Sequence, residues 1–302
     1  MAGYAIAFGK ALNTLRSDDP EVAETLLLAA YVHSCRTPLS MDMALGYWSR
    51  ASMDHNQVYA RIQAAGRLLN QYDGDLAESE QDHFAARSVL VAETIMDAAK
   101  GSELRALLET FYDNISSVRI TAYHVFRRRA YDARLFARAF RNFADGVRIY
   151  DDIHGRDPSH YLLQQKALYL ARMQKFELAF PAIEAALATA PRRNWTIRGS
   201  HARILFEANF GLVATSEEAR QHVDRAMGIL EECYAQDRRR AIHALSFGRL
   251  ALMYANRMTD ERAARYLAAA RDWLTEVPRS EPWMRGATFM LRDVERAIDR
   301  LT

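Results

Sequence analysis

Between Ser159 and Pro191 the chain spells two apolar stripes joined by a short turn, and this pattern constrains the fold more than any other feature. Leu163, Ala167 and Leu170 recur at spacings of four and three, which places them on one face of a helix. Phe176 follows at the turn. Ala179, Ile183 and Ala186 form a second stripe, and Pro191 ends it. A small residue in each stripe lets two helices cross closely, and a single pair cannot bury its outer faces alone. The pattern returns downstream. Phe247, Leu250, Ala251 and Tyr254 share one face, and Ala263, Leu267 and Ala270 share the next. Ala219, Val223 and Ala226 repeat the second stripe between them, while Ile197 to Phe210 has no unique register.

These helix pairs resemble tetratricopeptide (TPR) units. A strict TPR recurs every ~34 residues. Here Ala179, Ala219 and Ala263 are 40 and 44 residues apart, so the units are longer and irregular. A stacked array needs a terminal cap, and Trp283 to Leu301 reads as that helix. The expected fold is all-α, with a helical, winged-helix-like region over 1–101 and a TPR-like α-solenoid with its capping helix over 102–302. Only 7 prolines and 13 glycines interrupt 302 residues, too few turn formers for a β-rich chain.

In the first hundred residues helices are expected over Glu21–Cys35, Met41–Trp48, Asn56–Leu69 and Phe84–Ala99. Asp18 or Asp19 can cap the first, with Pro20 suited to its first turn, and Gly101 marks the last stop. Asn70 to Asp82 is polar and reads as a loop or small wing. Three short helices followed by a hairpin-like loop fit a winged-helix arrangement. Further helices are expected over Ser102–Ser116, Arg119–Arg129 and Asp132–His154, before Asp157-Pro158.

The segment Phe84 to Glu93 (FAARSVLVAE) resembles a motif of large STAND-class signalling ATPases, a group that includes bacterial antiviral defence proteins. Those proteins carry an aromatic residue, then Arg-His, an apolar pair and Ala-Glu, where a winged-helix-like region meets TPR-like repeats. Arg87 and Ala92-Glu93 match, and Ser88 stands where histidine is usual. Ala23 to Tyr47, with Pro38-Leu39 before a short helix, is similar to the winged-helix part. The resemblance implies a C-terminal sensor portion, or a relative of one, whose repeats sense a trigger molecule. It places the ATPase core outside this chain.

Gly3 to Ala11 (GYAIAFGKA) imitates a phosphate-binding loop. It has five residues where four are needed, and Ala11 stands where a hydroxyl should reach magnesium. The chain is therefore not expected to bind ATP or to be an enzyme, and no cofactor is expected. His33 and Cys35 are two apart on a helix and point in different directions, so they read as core groups rather than metal ligands. Asp151, Asp152 and His154 read as a polar helix end. No apolar run approaches the ~20 residues that span a bilayer. The longest, Thr25 to Val32, reads as a buried helix. Two distant cysteines and no leader pattern favour the cytoplasm.

Charge is unevenly spread. Residues 1–100 hold 8 Lys/Arg against 13 Asp/Glu, and the remainder holds 32 against 25. Arg127-Arg128-Arg129 and Arg238-Arg239-Arg240 are basic runs, with Arg192-Arg193 a smaller one. The first lies near Tyr123, Phe126 and Tyr131. Such runs can hold phosphate, but they also suit helix ends. The expected partner is a protein in the concave face of the repeats, contacted by Tyr161, Gln164, Arg172 and Asn256, with Arg127, Arg128 and Arg129 as a further contact. A free-standing TPR adaptor is the alternative reading, and a nucleic-acid-binding helical solenoid is the weaker one.

Overall fold

The computed structural model describes residues 12–191, 194–280 and 284–301. The fold class is all-α. Helices hold most of the described residues, and a three-stranded antiparallel sheet is the only sheet among them. The imitation phosphate loop, Arg192-Arg193 and Trp283 lie outside the described residues.

Residues 12–18 are helical (α1), and α2 follows over Pro20–Ser34. Asp19 accepts the Val22 amide and Pro20 occupies the first turn, as the sequence signals. Every residue from Thr25 to Val32 is buried. A helix apolar on all sides must be packed on several sides, and α2 meets several later elements. In chain order these elements are β1 (Leu39–Ser40), α3 (Met41–Tyr47), α4 (His55–Ala64), β2 (Leu69–Gln71), β3 (His83–Ala86) and α5 (Val89–Ala98). Helix α2 packs on β1, α4, β3 and α5.

The strand order is β1-β3-β2, with Leu39 opposite Phe84 and Leu69 opposite Ala86. Helix, strand, two helices, then two strands around an extended loop is the winged-helix order, and residues 72–82 are the wing. One expectation is corrected here. Phe84 to Ala86 is a strand, because β1 and β2 flank it and take up its backbone groups. The helix restarts only at Ser88, whose hydroxyl accepts the Val91 amide.

Then come α6 (Gly101–Asn114), α7 (Tyr123–Phe126), α8 (Ala133–Ala139), α9 (Phe143–Arg156) and α10 (His160–Arg172). The helix expected over Asp132–His154 is two helices. Phe140 is extended and Asn142 caps α9 through the Ala144 amide. The expected boundary at 101 does not separate compact units. The chain divides between Gln165 and Lys166. Residues 101–156 are tied into the first unit by specific bonds. The fully buried Tyr31 hydroxyl sits 2.6 Å from that of Tyr112, and both donate to the Ala130 carbonyl. Arg138 donates to the carbonyls of Met96, Asp97 and Ala99 at the C-terminal end of α5, where Met96 also accepts the Ala99 amide. Gly101 is needed beside it, since a Cβ there would lie 2.6 Å from the Arg138 carbonyl oxygen.

The second unit holds α11 (Phe176–Thr189), α12 (Trp195–Phe210), α13 (Glu217–Gln236), α14 (Arg240–Ala255), α15 (Glu261–Ser280) and α16 (Arg285–Leu301). Each helix from α11 to α15 packs on the next, except that α14 also reaches α12 and α16. The small residues expected at crossings are buried: Ala167, Ala179, Ala186, Ala219, Ala226, Ala251, Ala263 and Ala270. Helix α12 resolves its register, burying Ile197, Ala202, Ile204, Leu205 and Phe206. Ala179 is fully buried on α11, which packs on α12. Ala179→Leu should therefore overpack this crossing and cost about 1–3 kcal/mol in a urea titration followed by circular dichroism.

Candidate recognition surfaces

On α10, Tyr161 is half-buried with its ring centroid 4.2 Å from that of His160, and Arg172 is exposed. They are eleven residues apart, about three turns, and so share one face. Gln164 does not join them. It is only 4% exposed, with Leu162, Ala167 and Leu170 also buried on this helix. Its amide is therefore withdrawn from any open face, and its expected contact role is corrected. Asn256 is exposed at the end of α14, where its side-chain oxygen accepts from Arg300 at 3.4 Å. Asp293, Arg296 and Asp299 share that shallow cleft.

The two arginine runs have different fates. In the second run, Arg239 donates to Thr196 and Asp237, and Arg240 stands 5.6 Å from the Tyr234 ring. Asp237 also meets the buried His243 ring at 2.9 Å. Burial pushes the Asp237 carboxyl upward, but the Arg239 amide and His243 outweigh it and hold the group below the usual aspartate range. This run largely knits α12, α13 and α14 together.

The first run is split. Arg127 turns over the Tyr123 ring at 6.0 Å. Arg128 and Arg129 turn into a cleft of about 450 Å³, joined by Arg134 and Arg138 from α8. Reading the run by itself missed these two arginines. Their i, i+4 spacing on one helix face was the available signal. Glu93, Asp97 and Asp132 bring carboxylates to the same cleft. Asp132 is spent on the Arg134 and Leu135 amides, where it caps α8. Arg138 is spent on the α5 carbonyls. Among the described residues, the side chains of Arg128, Arg129 and Arg134 have neither an ion-pair nor a hydrogen-bond partner.

The wing and α4 carry the opposite electrostatics. Residues 72–82 hold five acidic side chains and no basic one. The sole arginine of α4, Arg61, pairs with Glu21 at 2.8 Å and Glu24 at 3.5 Å, and stands 5.3 Å from the Trp48 ring. A winged helix that grips DNA needs cations on these two elements.

Cys35 is buried, and burial pushes its thiol up to about 12. His33 is held below its usual range, first by burial. His154 takes the Ser159 amide through Nδ1, and Asp152 accepts from Arg148 at 3.3 Å, so this polar group serves a helix end. Among the described residues no three His, Cys, Asp or Glu side chains converge as metal ligands, and no helix is long and apolar enough to cross a membrane. The chain matches no protein-family model, no curated protein and no solved structure.

Proposed function

We propose that this chain is a recognition module that binds a protein partner, and that it is the sensor portion, or a relative, of a STAND-type signalling ATPase. The supporting observation is the position of the Phe84–Glu93 segment. It runs from the third strand of a winged helix into α5, with helix pairs following, and this matches the order the resemblance implies. The small-residue crossings and neighbour-to-neighbour packing of α11 to α16 suit a TPR-like stack. A stack of that kind would offer a long face to a peptide or protein, with Tyr161 and Arg172 on α10 as amphipathic anchor and carboxylate clamp.

The acidic wing and the engaged Arg61 count against nucleic acid as partner. The test is affinity capture from the source cells, or from infected cells, comparing the native chain with Tyr161→Ala, Arg172→Ala by mass spectrometry. Loss of one or more captured proteins from the variant, with helicity and melting unchanged, is expected. The same set of proteins on both would remove α10 as the contact.

A further inference from the structure

We propose that the arginine cleft of the first unit is a receptor for an acidic peptide segment, whose adjacent carboxylate side chains are held by Arg128, Arg129 and Arg134. This rests on the reading that the chain recognises a protein, and it names a different surface from the α10 face. Three guanidinium groups without an anionic partner converge on one cleft of about 450 Å³. Several other arginines of the unit are engaged: Arg61 with Glu21, Arg105 with Asp145 and Glu109, Arg156 with the Tyr112 carbonyl. Like charges brought together repel one another, and an incoming anion relieves that repulsion.

The segment that carries them is fixed in advance. Ala130, next to Arg129, takes two tyrosine hydroxyls on its carbonyl. The Ala133 amide donates to Gln165, and Asp132 caps α8. A receptor already held in shape loses little ordering entropy on binding. Planar guanidinium forks match carboxylates bidentately.

The rim chooses among anions. Glu93 and Asp97 would repel a continuous phosphate backbone more than a short pair of carboxylates flanked by neutral or basic groups. No aromatic face is open for a base to stack on, since Tyr31, the one aromatic lining residue, is fully buried. Met96 and Leu135 offer apolar contact beside the arginines, which suits peptide side chains.

The experiment is fluorescence anisotropy with the full chain at low salt. The probes are a labelled hexapeptide with two adjacent glutamates, its glutamine counterpart, and an unlabelled oligothymidylate competitor. The glutamate peptide should bind, and the glutamine peptide should not. Arg128→Gln, Arg129→Gln should weaken binding by about tenfold or more, while Arg238→Gln leaves it unchanged. Because the side chains of these arginines make no hydrogen bond or ion pair, the variant should melt close to the native chain. Equal binding of both peptides, no binding of either, no effect of the double substitution, or displacement by oligothymidylate at lower concentration than by unlabelled peptide would each overturn the assignment. Loss of captured proteins on the α10 variant alongside such a failure would leave the recognition reading standing without the cleft.

Discussion

Phe247→Ala should cost about 3–5 kcal/mol of stability, the largest single-residue loss expected in the second unit. The ring is fully buried on α14. It meets Tyr266 edge-on at 6.2 Å and Trp273 at 4.4 Å, and Trp273 in turn stacks flat on Tyr234 at 4.1 Å. Truncation removes the apolar transfer energy and leaves a void between α14 and α15 that neighbouring rings cannot fill without leaving their rotamers. Urea unfolding of both proteins checks the size. Native-state hydrogen exchange should place the loss of protection in residues 166–302. A shift below 1 kcal/mol would mean that this aromatic cluster collapses into the gap.

Asp224→Ala should cost about 2–3 kcal/mol, because one carboxylate serves three donors. Arg262 donates at 2.8 Å, Arg265 at 2.6 Å, and the Tyr266 hydroxyl also bonds to it. Arg265 is mostly exposed and contributes little. The main loss is the stranded hydroxyl of Tyr266, a buried residue.

The effect should depend on pH. Burial raises the Asp224 carboxyl, but the bonds from Tyr266 and Arg262 outweigh it and hold the group below the ordinary aspartate range. A carboxyl lowered on folding contributes in full above its unfolded value of about 3.9 and loses that contribution as pH falls through the folded value. The gap between native and Asp224→Ala stabilities should therefore be widest near neutrality and shrink at about pH 3. A gap that stays constant from neutral to acid pH would show that the carboxylate charge is not what matters here.

Several elements were legible in the sequence because their causes are local. The run Thr25 to Val32 is buried, Asp19 and Pro20 start its helix, and the alanines spaced along α11, α13 and α15 lie at buried crossings. Periodicity and capping act within a few residues, so a short window of sequence holds the information. The polar stretch 70–82 announced a loop for the same reason, although its first two residues belong to β2.

Other features depended on partners far along the chain. Phe84 to Ala86 has the composition of a helix, yet it is a strand because residues 39–40 and 69–71 bond to both its edges. Gln164 has a surface composition, yet packing buries it. The run Arg127 to Arg129 is one feature in sequence and two in space, since Tyr123 draws one guanidinium aside while Arg134 and Arg138 join the others. Which arginines are satisfied and which remain free is set by long-range bonds, such as that of Arg138 to carbonyls some forty residues earlier. The sequence by itself determined the all-α class and the faces of the long amphipathic helices that seek cover, but not Phe84–Ala86 or the stretch Arg119–Arg129, where only Tyr123–Phe126 is α-helical. Only the tertiary structure decided which charges were left without partners, because pairing across long loops follows from packing and not from local propensity.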